Sequence, residues 1–328
     1  MCSSDLETGY SVIAWNHTPT QPSIKTVQEL LNRYYVAELN QQDFQQLRHQ
    51  ISQKLNNLLS KLRQKADGFI QRLQQSDNAD SYRTQADLLM ASLQEWKPGM
   101  THIILSDFET GEPVKIPLEP EKNAVQNAQA YYKRHQKLKR ARIAVEPLLA
   151  EVKAEIDYLE QVEAAIAQIE SYQTSEDLQT LAEIRDELTQ QGYFNTPGYQ
   201  NRATTETEFH RYKTPTGFEL LVGRNNRQND LLTSKIAGDY DLWFHSQEIP
   251  GSHVLLRLSA GDVPVEKDLQ FVANLTAYHS RARQSEQVPV IYTKPKHVYK
   301  PKGSKPGMVI YKHETVIWGN PQAAIAKP

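Results

Sequence analysis

Hydrophobic residues in the first part of the chain recur every three or four positions, which is the period of an amphipathic helix. One series runs from Phe44 to Leu73, and a second runs from Leu149 to Ile169 inside a helix that begins near Asn123. At about 1.5 Å per residue, the first series predicts a rod of about 45 Å. Long helices with a polar outer face are unstable alone, so the two series predict one antiparallel coiled coil.

A β-hairpin is predicted between the two helical series. Residues 98–118 contain a short apolar run, a turn around Glu109 to Gly111 and a second extended piece. This order is typical of two paired strands. We therefore expect a hairpin at about residues 101–117, at the tip of the coiled-coil arm.

The pattern changes after residue 191. Residues 192–208 are rich in Gly, Pro, Asn and Thr and lack periodicity, which is typical of a linker. Strand-like runs grouped around two helices follow, and they favour an α+β domain. The predicted fold is α+β, with a long antiparallel coiled-coil arm, a small β-hairpin tip and a compact C-terminal α+β domain. The predicted segments are an irregular N-terminus (1–23), the coiled-coil region (24–191), the linker (192–208), the C-terminal domain (209–322) and a tail (323–328).

The stretch DLWFHSQEIPGSHVLLRL, residues 241–258, has the pattern of two strands joined by a Pro-Gly turn. A turn centred near Ile249 places His245 opposite His253 and Trp243 opposite Leu255, on a face expected to be polar. The other face is expected to form core through Leu242, Phe244, Val254 and Leu256.

Three roles suit this histidine pair: metal ligands, a catalytic acid and base, or a recognition surface. A zinc or iron site would require a third ligand, and no other histidine lies at a diagnostic spacing. Ser252 adjoins His253, but neighbouring strand residues point to opposite faces and cannot share a proton. The sequence contains no phosphate-binding glycine loop and no nucleophile elbow. We therefore expect no catalytic residue, metal or cofactor, and interpret the pair as a recognition surface.

The net charge of −2 conceals an asymmetry. The last 124 residues hold 16 Lys and Arg against 12 Asp and Glu, while the first 204 hold 21 against 27. The C-terminal part is therefore the better site for an anionic partner.

Residues 293–307, the lysine loop, are stiffened by three prolines and include His297 and Tyr299. A solvated loop is the alternative, but the pattern favours phosphate binding with base stacking. Its lysines are Lys294, Lys296, Lys300, Lys302 and Lys305.

A second basic strip follows the predicted hairpin. No acidic residue occurs between Glu121 and Glu146, and Tyr131 and Tyr132 adjoin the strip. Two interpretations suit such a strip equally well: a solvated helix face, and a surface that contacts a phosphate backbone. The cations of the strip are Lys133, Arg134, Lys137, Lys139, Arg140 and Arg142.

The single cysteine, Cys2, excludes a disulfide framework within the chain and favours the reducing cytosol. No stretch approaches the roughly 20 apolar residues of a membrane span. The first residues lack the basic and apolar regions of a secretory signal. We therefore expect a cytoplasmic protein without membrane contact.

Several segments together resemble the NFACT family. The segments GFELLVGRNNRQNDLLT, DLWFHSQEIPGSHVLLR and YTKPKHVYKPKGSKPGMVIY resemble its RNA-binding NFACT-R domain. The segment LSDFETGEPVKIPLEPEKNAVQNAQAYYKRHQKLKRA resembles its middle region. The family includes the bacterial RqcH proteins, long described as fibronectin-binding proteins, and the eukaryotic protein NEMF. The similarity covers nearly the whole chain.

This resemblance implies a role in ribosome-associated quality control. It implies binding to stalled large ribosomal subunits and tRNA, in support of adding a C-terminal alanine tail to the nascent chain. The ribosome would make the peptide bond, so the protein would not be an enzyme. NFACT-R is implied to contact RNA and the coiled coil to reach the stalk-base region, as a monomer on the ribosome. The similarity begins just before the coiled coil, so we expect the NFACT-N domain to be absent and this chain to be the C-terminal portion.

The candidate RNA-binding residues of the C-terminal domain are Arg224, Arg227, Trp243, His245, Ser252, His253, Lys294, Lys296, Lys300, Lys302 and Lys305. The candidate ribosome or RNA contacts on the coiled coil are Lys133, Arg134, Lys137, Lys139 and Arg140. Two other functional classes stay open: a metal-dependent hydrolase acting on nucleic acid, and a fibronectin-binding adhesin.

Overall fold

The structure is a computed structural model that describes residues 27–195 and 208–325. The predicted irregular segment at 1–23 and most of the predicted linker lie outside the described residues. The first half contains α1 (Val27–Ser76), α2 (Ala79–Ala91), β1 (His102–Ser106), β2 (Pro113–Pro117), α3 (Ala124–Gln168) and α4 (Ser175–Gln190). The second half contains β3 (His210–Lys213), β4 (Glu219–Val222), α5 (Asn226–Leu231) with a π-helical turn (Leu232–Ile236), β5 (Leu242–Ser246), β6 (Val254–Leu256), α6 (Glu266–Tyr278), β7 (Val288–Thr293), β8 (Val298–Tyr299), β9 (Ile310–Tyr311), β10 (Thr315–Gly319) and α7 (Pro321–Ile325).

The chain divides into two compact units, one formed by residues 57–157 and the other by the residues on either side of that range. In the first unit, α1 and α3 pack through Ala66, Leu149 and Val152. The hairpin of β1 and β2 reverses the chain between them, so the two helices run antiparallel. Ile103 and Ile116 on the inner face of the hairpin belong to a buried cluster that also contains residues of α2 and α3.

The second unit contains a six-stranded antiparallel sheet with the strand order β10-β7-β5-β6-β4-β3. Helix α6 covers one face, where Val272 packs with Phe244 and Val254 of the central strands. The predicted fold class, a long helical arm followed by an α+β domain, is confirmed. The described part of the predicted tail, residues 323–325, is the end of α7 (Pro321–Ile325).

The predicted strand register is confirmed, but the predicted polar face is wrong. Trp243 pairs with Leu255 and Leu242 with Leu256, as expected. However, the side chain of Trp243 is fully buried, and His245 and His253 are 9% and 1% exposed. The reason is that β5 and β6 are interior strands, and this face is also covered by an apolar cluster. That cluster contains Leu221, Leu232, Trp243, Leu255, Ile291 and Val298.

The two histidines are buried beside this apolar cluster, where both contact Trp243. The Trp243 indole donates to Thr233 Oγ1 at 3.1 Å, and the same oxygen lies 2.7 Å from His253 Nδ1. The backbone N–H of His253 donates to Asn229 Oδ1 at 3.0 Å. The ring of His245 stacks on Trp243 with centroids 5.8 Å apart. Burial lowers the pKa of His245 to about 4 and that of His253 well below 6.5.

We expect the unfolding free energy to fall as the pH is lowered from about 6.5 to about 4. His245 has a pKa of 6.5 in the unfolded chain and about 4 in the folded chain. The unfolded chain therefore binds the proton first, and the stability present above pH 6.5 is lost across this window. His245 alone contributes a slope of about 1.4 kcal/mol per pH unit. Urea unfolding followed by tryptophan fluorescence at several pH values measures the slope.

The variant His245→Gln removes this titration, so its stability should depend less steeply on pH than that of the wild-type chain. It should also be less stable at neutral pH, because the imidazole stacked on Trp243 is lost. An unchanged slope in the variant would contradict the buried, neutral state of His245.

Candidate nucleic-acid interface

The lysine loop begins at the last residue of β7, contains β8 and leads to β9. A 3-10 turn, Pro295–His297, begins with a proline, whose fixed φ angle suits the first helical position. Thr293 Oγ1 lies 2.9 Å from the carbonyl oxygen of Lys312 and 3.2 Å from that of His313. The N–H of Lys312 donates to the carbonyl of His297 at 3.1 Å. Hydrogen bonds therefore join the start of the loop to the residues that follow β9.

Three lysines of the loop, the outer lysines, project into solvent. They are Lys294, Lys296 and Lys302. None of them forms an ion pair with any residue in the part of the chain that the structure describes. Their positive charge is therefore available to an anionic partner.

The other two lysines of the loop have partners within the protein. Lys300 forms an ion pair with Asp230, whose second oxygen accepts the N–H of Gly307 at 3.0 Å. Lys305 donates to Gln191 Oε1 at 3.1 Å and lies 4.9 Å from the ring centroid of Tyr193. These contacts attach the loop to the domain and occupy both ammonium groups.

Imidazole and phenol rings lie among the outer lysines. The rings of His297 and His313 meet edge to face with centroids 4.7 Å apart, and Tyr299 is 44% exposed. Desolvation, followed by the charges of His313 and the nearby lysines, lowers the pKa of His297. His297 is therefore neutral near pH 7, where it can stack or form hydrogen bonds without carrying charge.

The structure buries five of the six remaining predicted RNA-binding residues of the domain. Trp243, His245, Ser252 and His253 are buried. Arg224 is 7% exposed, and its guanidinium donates to Glu176 at 3.0 Å and to Asp177 at 2.7 Å. Arg227, which is partly exposed, forms a hydrogen bond with Gln190. The exposed recognition face predicted for Trp243, His245 and His253 is therefore incorrect, because core packing buries these residues.

Sequence reasoning did not anticipate that the segment GRNNRQND packs against α4. Asn225 donates to Glu183 at 2.7 Å, and Asn226 donates to Glu187 at 3.1 Å. Glu187 also accepts from the hydroxyl of Tyr158 at 2.8 Å. Burial is the largest influence on this carboxyl group and raises its pKa. The sequence did contain a signal for this contact, because α4 carries a row of acidic residues and GRNNRQND carries amides and arginines that complement them.

The basic strip on α3 lies in the unit formed by residues 57–157. Lys133, Lys137 and Arg140, the helical stripe, are exposed and follow one another at spacings of four and three residues, so they share one helix face. They form no ion pair with any described residue. Lys139 is also exposed, while Arg134 lies over the ring of Tyr82 at 4.7 Å.

Arg142 differs from the helical stripe because acidic residues surround it. It forms ion pairs with Asp77 at 3.1 Å and with Glu146 at 2.8 Å. Its charge is therefore balanced within the protein, although it belongs to the same strip of sequence.

Within residues 27–195 and 208–325, no group of three His, Cys, Asp or Glu side chains is arranged to hold a metal ion. In the same part of the chain, no helix combines the length and the apolar character needed to cross a membrane.

Two family models match the chain. The model for the NFACT N-terminal and middle domains matches residues 1–207, and the model for the NFACT protein RNA binding domain matches residues 208–313. The first match conflicts with the expectation that NFACT-N is absent, because the matching model spans both the N-terminal and the middle domains. The lysine loop lies within the second match.

Curated relatives carry the name Rqc2 homolog RqcH. The protein of Bacillus subtilis (strain 168) is 33% identical over 303 residues, which are 91% of this chain and 51% of the relative. The protein of Streptococcus pneumoniae serotype 2 is 33% identical over 318 residues, 97% of this chain and 56% of the relative. The chain therefore spans about half the length of the curated relatives it matches.

A solved structure has a similar fold. It is the C-terminal part of the fibronectin/fibrinogen-binding protein from Streptococcus suis, with a TM-score of 0.64 and 31% sequence identity. The similarity covers 85% of this chain and 95% of that one. From the two family models and these relatives, the chain belongs to the NFACT family.

Proposed function

We propose that this chain binds RNA of the large ribosomal subunit through the lysine loop, as part of ribosome-associated quality control. The observation that carries the proposal is the set of three outer lysines, exposed and without ion-pair partners among the described residues. They lie in the part of the chain that matches the NFACT protein RNA binding domain. Relatives named Rqc2 homolog RqcH support the ribosomal context.

Phosphate contact is the physical basis of this binding. Each lysine that neutralises a phosphate releases condensed counterions, and this release favours binding in a salt-dependent manner. The 3-10 turn and the ion pair of Lys300 with Asp230 hold the loop in place, so little conformational entropy is lost on binding. The helical stripe of Lys133, Lys137 and Arg140 provides a second set of free cations for RNA.

The finer parts of the proposal come from the family resemblance. By this resemblance, the large subunit carries a stalled nascent chain with its tRNA, and the coiled coil reaches the stalk-base region. The protein acts in the cytoplasm as a monomer on the ribosome and assists alanine tailing there. It does not form the peptide bond, because the ribosome supplies that chemistry.

We expect the triple variant Lys294→Gln, Lys296→Gln, Lys302→Gln to bind large ribosomal subunits and their RNA about tenfold or more weakly, because up to three phosphate contacts are lost. The dependence of log affinity on log salt concentration should become shallower by about two. Co-sedimentation with purified subunits and fluorescence anisotropy with ribosomal RNA fragments, each over a range of salt, measure both effects.

A matched control removes the same charge elsewhere in the domain. Lys213, Lys235 and Lys267 are exposed lysines outside the loop, and their triple change to Gln should leave both affinity and salt dependence close to the wild-type values. Equal weakening by the two triple variants would indicate a general charge effect and would contradict a site at the lysine loop.

For the helical stripe, we expect the triple variant Lys133→Gln, Lys137→Gln, Arg140→Gln to weaken subunit binding, again with a shallower salt dependence. The control is Lys61→Gln, Lys153→Gln, Arg72→Gln, which removes three exposed cations from the helices of the same unit. If the stripe variant sediments with subunits as well as the control does, the stripe is a solvated helix face.

A second candidate function is binding to fibronectin. The observation in its favour is the name of the solved Streptococcus suis protein, a fibronectin/fibrinogen-binding protein. Surface plasmon resonance with immobilised fibronectin separates the candidates. Saturable binding that survives the lysine-loop variant, together with no binding to ribosomal subunits, would favour the adhesin.

A further inference from the structure

The ribbon of β8 and β9 presents two exposed apolar side chains next to each other. Tyr299 and Ile310 are cross-strand partners, and they are 44% and 45% exposed. Val298 and Tyr311 form the adjacent pair on the opposite face of the ribbon. Val298 belongs to the buried cluster around Trp243, and Tyr311 packs against that cluster. One face of the ribbon is therefore anchored in the core, while the other presents the side chains of Tyr299 and Ile310 to solvent.

A cation lies beside this surface, in a lysine-rich part of the chain. Lys312 Nζ lies 5.7 Å from the ring centroid of Tyr299, a distance at which the ammonium group interacts with the ring face. Residues 287–328 contain one acidic residue, Glu314, while residues 294–312 contain six lysines. An aromatic ring next to an ammonium group, in a segment with few acidic residues, suits a ligand that is both anionic and flat.

The backbone beside the ribbon is held in an uncommon conformation. His313 has a φ of 54°, in the left-handed region that non-glycine residues rarely adopt. The contact between Thr293 Oγ1 and the carbonyl of His313 and the edge-to-face contact with His297 accompany this conformation. Contacts with Thr293 and His297 therefore hold the backbone of Lys312 and His313, which suits a surface formed before the ligand binds.

We propose that Tyr299 and Ile310 form a stacking platform for an unpaired base of single-stranded RNA, with Lys312 and the outer lysines contacting the adjacent phosphates. This inference rests on the proposed RNA-binding function and adds the form of RNA that the loop selects. An unpaired base can leave its neighbours and stack on an aromatic ring, whereas a duplex keeps its bases inside. The preferred ligand is therefore a single strand, a loop or a bulge.

The test compares one RNA sequence as a single strand and as a duplex, with the full chain, by fluorescence anisotropy. We expect Tyr299→Ala to weaken binding of the single strand about tenfold or more, in the range found when a stacking residue is truncated. Its effect on the duplex should be less than about threefold. Tyr299→Phe keeps the ring and should bind like the wild-type chain. With 2-aminopurine as the unpaired base, the fluorescence change on binding should be lost in Tyr299→Ala.

Tyr240→Ala is the matched control, because Tyr240 is a tyrosine of the same domain, 60% exposed and outside the loop. This variant should not change binding. If Tyr299→Ala binds the single strand normally while the outer-lysine variant does not, the platform is wrong and the RNA-binding proposal stands. If the wild-type chain binds neither RNA form, both proposals fail. If an acidic tyrosine-containing peptide displaces the RNA from the loop as efficiently as unlabelled RNA does, the surface binds protein instead.

Discussion

Burial of Trp243 on the second face of the sheet is the interaction on which the candidate interface depends. The indole is fully buried, and Tyr311 packs against it with ring centroids 5.9 Å apart. Val298 belongs to the same buried cluster. Since Val298 and Tyr311 form a pair in the ribbon of β8 and β9, the packing that completes this core also fixes the position of the lysine loop. Burying side chains of this size contributes about 1.5–3 kcal/mol each, enough to hold a short ribbon that would be unstable alone.

Successive side chains along a strand point to opposite faces, so in the ribbon of β8 and β9 the residues that anchor it alternate with residues that face the solvent. Val298 and Tyr311 point into the core, so their neighbours Tyr299 and Ile310 must point outward. The loop therefore needs no internal core of its own. Its exposed side chains are positioned by residues that are packed in the core.

The sequence predicted the parts of the structure that depend on local periodicity. The two hydrophobic series, the hairpin and the pairing of Trp243 with Leu255 all follow from patterns within a few tens of residues. It did not predict that residues 298–311 cover the face that carries His245 and His253, because that contact joins segments about 50 residues apart. The alternation of side chains along a strand identifies which residues share a face of the sheet, but it does not show which segment packs on that face. Arg224 was misinterpreted for a related reason, since its partners Glu176 and Asp177 lie nearly 50 residues earlier.

The same limitation affects any count of basic residues as a measure of RNA binding. The sequence of the loop offers five lysines, but Lys300 is paired with Asp230 and Lys305 is held by Gln191. Lys312 lies outside the loop in sequence, yet the ribbon places it beside Tyr299. The salt dependence of binding follows the number of phosphates neutralised rather than the number of lysines nearby. The cations available to contact RNA are those that the fold leaves unpaired and exposed. Packing of the buried face of the ribbon and the ion pair of Lys300 with Asp230 determine which lysines these are.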